Sequence, residues 1–254
     1  MRRALQLCYW AVTYYLAFAA FGCGTLCLQF VSFGLLPFAR AEGVQRAVQW
    51  MTHGLCRLWI VYQRAFRLVQ FRFDGFAKLR RPGGLIVVAN HPCLMDVTFL
   101  LSQLPAVVCV YKAAIRHNLF LAAGARAAGY IPNDEGLDLV RHATTAVAAG
   151  KTLLVFPEGT RTRVGVAVNP LKPGFALVAQ RAGVPLQLVF IRTRSNALRK
   201  DRAWWRLPDL PARYELAVGP QIFPNDDETA VALADRVAEV FRREIEPMAG
   251  FPAR

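Results

Sequence analysis

Serine is scarce in this 254-residue chain, where it occurs only at Ser32, Ser102 and Ser195. None of the three stands in a Gly-x-Ser-x-Gly turn, which argues against a serine hydrolase of the α/β type. Internal repeats and low-complexity linkers are also missing. The length therefore favours one large domain, or one domain with an appendage.

Patterns of metal ligands are missing as well. The chain has six cysteines, and none of them form the paired Cys-x2-Cys spacing that is typical of zinc sites. Cys23 and Cys27 lie one helical turn apart but have no histidine or acidic neighbour, so no metal is expected. Free thiols used as small apolar residues fit a reducing cytoplasm.

Acidic residues are few, with 17 Asp and Glu against 31 Lys and Arg, which gives a net charge of +14. Basic chains commonly bind nucleic acid or an anionic membrane surface. The sequence contains no helix-turn-helix, zinc-finger or ribonucleoprotein pattern, so nucleic acid is not an expected partner.

The first part of the chain carries a long segment without charge, from Ala4 to Ala39. About 20 apolar residues suffice to cross a bilayer, so this segment can span it, or enter it and return. Arg2, Arg3 and the small residues around Phe18 also resemble a secretory signal. However, the apolar run continues well beyond the length of a signal's apolar region, which favours a retained membrane anchor.

Residues 44–69 predict an amphipathic helix. At 100° per residue, its basic side chains fall within roughly 80° of one another; they are Arg46, His53, Arg57, Arg64 and Arg67. The apolar residues gather on the opposite side; they are Val44, Val48, Met51, Leu55, Leu58, Tyr62, Phe66 and Val69. Such a helix can lie on an anionic membrane or pack on a core with its basic face in water, and both can hold at once.

From residue 69 onward, short apolar runs alternate with helical patterns. The predicted strands are Val69–Phe73, Leu85–Ala89, Val107–Tyr111, Thr152–Phe156, Leu186–Arg192 and Arg213–Val218. The predicted helices are Met95–Leu104, Leu119–Ala128, Leu137–Ala149, Phe175–Ala182 and Glu228–Glu246. This alternation predicts an α/β fold, with a mostly parallel or mixed sheet covered by helices on both faces. The expected division is an N-terminal helical membrane-associating motif at 1–68 and an α/β domain at 69–254.

Two polar stretches follow predicted strands, and ligands of such folds bind at the carboxyl ends of strands. The first is Asn90–Asp96, which contains a histidine and, five positions later, an aspartate. The second is Phe156–Arg161, with the sequence FPEGTR. A carboxylate that accepts a hydrogen bond from one imidazole nitrogen leaves the other free to take a proton. His91 and Asp96 are therefore the predicted general base and its orienting partner.

The residues alone leave open which group this base deprotonates. Cys93 lies two positions from His91, so a cysteine–histidine acyl-enzyme is conceivable. Neighbours that close point apart in most extended loops. A hydroxyl on the substrate itself is the favoured alternative, because its direct attack on a thioester needs no protein nucleophile.

The Asn-His-x4-Asp block, followed by Phe-Pro-Glu-Gly-Thr-Arg, resembles the glycerolipid acyltransferase family, which includes 1-acylglycerol-3-phosphate acyltransferases. The resemblance extends over about residues 70–220 and includes the Gly129-Tyr130-Ile131 and Gly183-Val184-Pro185-Leu186 stretches. It implies that His91 and Asp96 deprotonate an acceptor hydroxyl, which attacks an acyl-CoA or acyl carrier protein thioester. It also implies no bound cofactor and a location at the cytoplasmic face of a membrane, in bacteria the inner one. The implied acceptor-binding residues are Glu158, Gly159, Thr160, Arg161 and Lys172.

The sequence departs from the family at two places. Cys93 stands where serine is frequent, and Pro132-Asn133-Asp134-Glu135 stands where many phosphate-binding members have an arginine. An acidic pair there would repel a phosphate, so a neutral, zwitterionic or amino-acid-derived lipid hydroxyl remains an alternative acceptor. The residues are also compatible with a hydrolase, a lipid transacylase or a non-catalytic basic membrane-binding module.

Overall fold

The computed structural model describes residues 2–80, 83–134 and 136–246. The helices are α1 (Arg2–Leu35), α2 (Glu42–Ala65), α3 (Asp96–Leu101), α4 (Ala122–Ala127), α5 (Leu137–Ala148), α6 (Gly174–Ala182) and α7 (Ala230–Glu244). The strands are β1 (Val69–Asp74), β2 (Leu85–Ala89), β3 (Val107–Tyr111), β4 (Ile131–Pro132), β5 (Thr152–Val155), β6 (Leu186–Thr193) and β7 (Ala212–Ile222). Short 3₁₀ helices lie at Leu36–Phe38, Phe76–Arg80 and Ala113–His117.

The strands form one mixed sheet in the order β1-β7-β6-β2-β5-β3-β4. Only the β6–β7 pairing is antiparallel, and the others are parallel. The carboxyl ends of β2, β5 and β6 therefore meet at one edge, where β7 begins. This arrangement confirms the predicted fold class.

Helices cover both faces of the sheet. On one face, α1, α2 and α3 share an apolar cluster with the strands, in which Trp59 and Phe99 stack with ring centroids 6.1 Å apart. On the other face, the core residues come from α5, α6 and α7, and Phe241 packs on Phe190. The N-terminal helices thus share a core with the sheet, while the division at residue 68 stays a prediction.

The uncharged segment forms one continuous helix, α1, as far as Leu35, and the chain turns back at Leu36–Ala41. Arg3–Phe38 is long and apolar enough to cross a membrane, and only 22% of its most apolar window is buried against the protein. The large apolar side chains exposed on α1 include Leu5, Val12, Leu16, Leu26, Phe30 and Phe33.

Helix α2 differs from its predicted pattern at His53 and at two residues of the predicted apolar side, Met51 and Leu58, which are exposed. His53 was placed on the basic face, but it is buried, and its Nδ1 lies 2.6 Å from the Leu101 carbonyl oxygen. It lies at the margin of the basic face, next to the side that packs on α3. The exposed face of α2 instead combines Arg57 with apolar residues, among them Trp50, Leu58 and Val61.

The sheet matches the predicted strands closely, and the differences are local. The strand Ile131–Pro132 was missed because two residues are too few to show a pattern. Helix α3 ends at Leu101, three residues before the predicted end, and α4 begins at Ala122 rather than Leu119. Both helices have only six residues and lie between buried strands.

Candidate active site

The first polar loop, here called the His91 loop (Asn90–Met95), leaves the buried strand β2. Asn90 fixes its start, because the side-chain amide donates to the Ile191 carbonyl at 2.9 Å and accepts from the Ile191 amide at 2.8 Å. This pair of bonds continues the pairing of β2 with β6 one residue past the strand end. The next side chain, that of His91, therefore starts from a fixed backbone position.

His91 and Asp96 meet as the sequence predicted. The turn from Cys93 to the start of α3 brings the carboxylate back, and Asp96 Oδ2 lies 2.9 Å from His91 Nδ1. The Asp96 side chain is 0% exposed and that of His91 is 19% exposed. Because a carboxylate only accepts hydrogen bonds, the proton of the neutral ring belongs on Nδ1 and leaves Nε2 as the basic nitrogen.

Two further contacts hold the pair. Asp96 Oδ2 also accepts a hydrogen bond of 2.7 Å from the Cys93 amide. Burial raises the pKa of Asp96, and its bonds from His91 and from that amide oppose the rise. The imidazole lies against the Phe156 ring, with centroids 4.5 Å apart. The ring is thus fixed on its Nδ1 side and on one face.

Glu158 joins the second polar loop, the Glu158 loop (Phe156–Lys172), to the first. Its Oε1 accepts from the His91 backbone amide at 2.8 Å and from Thr162 Oγ1 at 2.7 Å. Its Oε2 accepts from the Asn169 amide at 2.8 Å. Burial raises the pKa of Glu158, whereas these three bonds favour its charged form. The carboxylate is buried and holds the loops together, so any effect on an acceptor would be indirect.

The other residues implied for acceptor binding lie around an exposed turn. Gly159 has φ +64°, a left-handed conformation that suits glycine. A Cβ there would lie 3.2 Å from Lys172 Cε, so the lysine side chain passes close over the turn. Thr160 and Lys172 are exposed. The turn therefore presents a hydroxyl and an ammonium group to solvent beside the His91 loop.

Arg161 is half-buried and already has protein partners. Its Nη1 donates to the carbonyl oxygens of Leu198 and Arg199, both at 2.9 Å. Within the described part of the chain, its Nε and Nη2 have no hydrogen-bond acceptor. Nη1 of the guanidinium thus holds the segment after β6, and Nε and Nη2 can donate hydrogen bonds to a ligand.

Cys93 does not have the environment of a nucleophile. It is fully buried, and burial raises the pKa of its thiol. Its sulfur accepts contacts from the Met95 amide at 3.3 Å and the Tyr214 hydroxyl at 3.5 Å. A thiolate is the reactive form of cysteine, so this site disfavours an acyl-enzyme on Cys93.

Sequence patterns did not reveal a basic cleft on the β6 side of His91. It has a volume of about 980 Å³, and Asn90, Pro92 and Thr162 line it next to the catalytic pair. Its cations come from three strands and from the segment after β6; they are Arg72 of β1, Arg192 of β6, Arg213 of β7, Arg194 and Arg199. Its acids are Glu215, Glu244 and Glu246. The pairing of β7 with β6 on one side and with β1 on the other brings these distant residues together.

The acidic stretch after Ile131 lies on the other side. Strand β4 is three strands from β2, which corresponds to about 14 Å across a sheet. Asp134 pairs with Arg116, whose Nη2 lies 3.1 Å from its carboxylate, and Glu135 lies outside the described residues. Asp134 is therefore less repulsive toward a phosphate than the sequence suggested.

Comparisons with known proteins agree with this geometry. Residues 70–192 match the model of the Acyltransferase family. A 1-acyl-sn-glycerol-3-phosphate acyltransferase from Helicobacter pylori is 25% identical over 111 residues, which cover 41% of the chain and 47% of that protein. The chain thus matches about half the length of that relative.

The fold also matches a solved structure, that of the 1-acyl-sn-glycerophosphate acyltransferase PlsC from Thermotoga maritima. The TM-score is 0.69 at 22% identity, and the match covers 96% of the chain and 97% of that structure. The similarity therefore includes α1 and α2 as well as the sheet. Residues 70–192 of this chain are thus similar to the acyltransferase family, and the chain is similar to 1-acylglycerol-3-phosphate acyltransferases.

Proposed function

We propose that this protein transfers an acyl group from an acyl-CoA or acyl carrier protein thioester to the hydroxyl of a lysophospholipid such as 1-acylglycerol-3-phosphate. The observation that carries the proposal is the His91–Asp96 pair, 2.9 Å apart at the carboxyl edge of the sheet. The thioester is a co-substrate, and the chemistry needs no bound cofactor.

The reaction follows from the position of the free imidazole nitrogen. His91 Nε2 removes the proton of the acceptor hydroxyl as its oxygen attacks the thioester carbonyl. Asp96, which accepts from Nδ1, stabilises the imidazolium that forms. The C–S bond then breaks, the thiolate leaves, and the proton on Nε2 returns to its sulfur. The products are an ester and a free thiol.

A phosphorylated acceptor is favoured over a neutral one by the charges around the pair. Arg161 and Lys172 flank it on one loop, and the basic cleft opens next to Asn90 and Pro92. A guanidinium binds phosphate through two parallel hydrogen bonds, which suits the free edge of Arg161. These cations support 1-acylglycerol-3-phosphate more than an uncharged lipid.

Membranes that contain the full-length protein, incubated with a labelled acyl thioester and a lysolipid, test the proposal. We expect a labelled diacyl product from lysophosphatidate, and less from lysolipids without the terminal phosphate. Release of free fatty acid as the main product would indicate a hydrolase instead. A complete lack of product with all acceptors and both donors would favour a non-catalytic membrane-binding module.

Arg161→Ala should raise the KM for the phosphorylated acceptor about 10–100-fold, the value of a charged hydrogen bond of about 1.5–3 kcal/mol. The KM for the thioester should change little. The measurement is steady-state kinetics with each substrate varied in turn. Arg181→Ala, which removes an exposed arginine on α6, is the matched control and should behave as wild type.

Kinetics with phosphorylated and unphosphorylated acceptors distinguish binding of phosphate by Arg161 from its contacts with the Leu198 and Arg199 carbonyls. If the arginine binds phosphate, only the phosphorylated acceptor loses affinity. An equal loss with both acceptors would mean that Arg161 acts only by holding Leu198 and Arg199, and the assignment to phosphate would be wrong.

We also propose that the protein is bound to the cytoplasmic face of a membrane through α1 and α2. The large apolar residues exposed on α1 and the exposed Trp50, Leu58 and Val61 on α2 support this placement. Acyl thioesters are made in the cytoplasm, so the sheet edge with His91 belongs on that side.

The full-length protein should remain in the membrane pellet after washing at about 1 M salt, which screens charge over distances beyond about 3 Å but leaves apolar burial intact. A form that lacks residues 1–68 should aggregate, because Phe99 would lose its stacking partner Trp59 and the apolar cluster would lose the residues from α1 and α2. Recovery of the intact protein in the salt-wash supernatant would contradict the membrane placement.

A further inference from the structure

The segment between β6 and β7, here called the Trp loop (Arg194–Pro211), presents two adjacent tryptophans to solvent. Trp204 is 53% exposed and Trp205 is 60% exposed, and their rings meet edge to face with centroids 5.8 Å apart. Exposure of two large neighbouring apolar rings is unfavourable in water unless something covers them. The proposed reaction does not use either ring.

Helix α1 holds the tip of the Trp loop. The Tyr14 hydroxyl donates to the Trp204 carbonyl at 3.2 Å, and the Tyr15 hydroxyl donates to the Trp205 carbonyl at 2.7 Å. Phe18 lies against the Trp204 ring, with centroids 6.4 Å apart. The two indoles are therefore fixed beside the apolar helix at one level along its axis.

The exposed apolar surface continues on both sides of that level. Val12 and Leu16 are exposed on α1 next to the tyrosines. Farther along, Gln29 accepts a hydrogen bond of 2.7 Å from the Gly124 amide, which places the exposed Leu119–Leu121 segment near the second half of α1. The helix and two loops thus form one apolar surface rather than scattered residues.

The charge of the Trp loop fits an anionic surface. Its exposed cations are Arg194, Lys200 and Arg206, and Arg202 is partly exposed, whereas Arg199 is buried and pairs with Asp201. Tryptophan and basic residues together are typical of segments that lie at the level of lipid headgroups. A soluble protein partner would not require the continuity with α1.

The other end of the Trp loop lies in the active site. The Leu198 carbonyl accepts from Arg161 Nη1 at 2.9 Å and from the Leu94 amide at 3.1 Å. The Tyr214 hydroxyl, just after the loop, donates to the Ala197 carbonyl at 3.2 Å. The same segment that displays the indoles therefore holds the His91 loop and Arg161.

We propose that Trp204 and Trp205 insert into the interface of an anionic bilayer, and that this contact sets the position of Arg161 for acceptors presented by that bilayer. Only the second part of this inference, the positioning of Arg161 for the acceptor, rests on the proposed function. Insertion of the indoles can be measured without any acyl transfer.

The first experiment measures insertion. The full-length protein is reconstituted in phosphatidylcholine vesicles with phosphatidylglycerol, with or without brominated acyl chains, and tryptophan fluorescence is recorded. Brominated lipid should quench the wild type clearly more than the Trp204→Phe/Trp205→Phe variant, which keeps aromatic packing but removes both indoles. Both proteins carry Trp50→Phe, because the exposed Trp50 is itself placed at the membrane and would also be quenched. Equal fractional quenching of the two proteins in this background would overturn the proposal.

The second experiment measures the effect on turnover. Trp204→Ala/Trp205→Ala should lower kcat/KM about tenfold for lysophosphatidate embedded in vesicles, mainly through the acceptor KM, since apolar contact with the bilayer is lost. Dispersed short-chain lysophosphatidate should be acylated at the wild-type rate, which also reports that the variant is folded. Phe223→Ala is the control, because Phe223 is 61% exposed but follows β7 at the opposite edge of the sheet.

The outcomes separate the inference from the proposed function. Equal loss with embedded and dispersed acceptors would overturn the inference, and would indicate that the Trp loop serves the chemistry or a soluble partner. If the wild type acylates neither acceptor but brominated lipid still quenches Trp204 and Trp205, the proposed function fails while the membrane contact stands.

Discussion

Replacement of His91 by alanine should lower acyl transfer about 10²–10⁴-fold, the usual contribution of a general base. The fall should appear in kcat, because His91 acts on the reacting proton rather than on binding. Lysolipid binding should persist, since Arg161 and Lys172 are unchanged. Rates with saturating thioester and acceptor, together with lysolipid binding by the purified protein, measure both effects.

His142→Ala is the matched control for this variant. His142 lies on the exposed side of α5, on the opposite face of the sheet from α1 and α2, and its loss should leave turnover unchanged. A His91→Ala protein with turnover near wild type would remove the proposed mechanism.

Asp96→Asn tests the orienting role in the same assay. Asparagine fills the same buried space but can direct its amide group toward Nδ1 and so favour the wrong tautomer of His91. Turnover should fall while the free energy of unfolding changes less than it does for Asp96→Ala, which leaves the Cys93 amide without its acceptor.

The fold was predictable where the physical signal is local. The strands β2 and β3 are uninterrupted apolar runs that follow Gly84 and Pro105-Ala106 and end before the polar Asn90 and Lys112, and both strands begin and end at the predicted residues. The meeting of His91 with Asp96 was also predictable, because a strand end and the first turn of the following helix are close in any such connection. Short elements such as Ile131–Pro132 carry too few residues for a periodicity.

The site was less predictable where it depends on pairing between distant strands. Arg72, Arg192 and Arg213 come from three strands, and nothing in their spacing shows that the cleft beside Asn90 collects them. The contact of Arg161 with the Leu198 and Arg199 carbonyls depends on the path of the Trp loop, which has no pattern of its own. His53 is a similar case, since helical periodicity predicts the face of a helix on which a residue lies but not the element that packs against that face.

Glu158 shows how the structure changes the interpretation of a motif residue. The resemblance implies an acceptor-binding role, but the carboxylate is buried and both of its oxygens already accept hydrogen bonds from protein groups. Through the His91 amide, it connects the FPEGTR sequence to the catalytic base. Its replacement should therefore disturb the geometry of catalysis more than the affinity for the acceptor.

Glu158→Ala should destabilise the protein by at least about 3 kcal/mol, because it leaves the His91 amide, the Thr162 hydroxyl and the Asn169 amide without an acceptor at a cost of about 1–3 kcal/mol each. Denaturant unfolding of the purified protein measures this. Glu239→Gln, which breaks exposed ion pairs with Arg242 and Arg243, should leave the stability nearly unchanged and serves as the control.

Glu158→Gln should still fold, and it distinguishes a role of Glu158 in positioning His91 from a role in binding the acceptor. Its carbonyl oxygen can replace Oε1, which accepts from the His91 amide and Thr162, but its amide group then faces the Asn169 N–H, donor against donor. We expect kcat to fall roughly tenfold or more, as a displacement of His91 would produce, with the acceptor KM within about twofold of wild type. A large rise in the acceptor KM at unchanged kcat would instead mean that Glu158 contacts the acceptor, and would restore the role that the family resemblance implies.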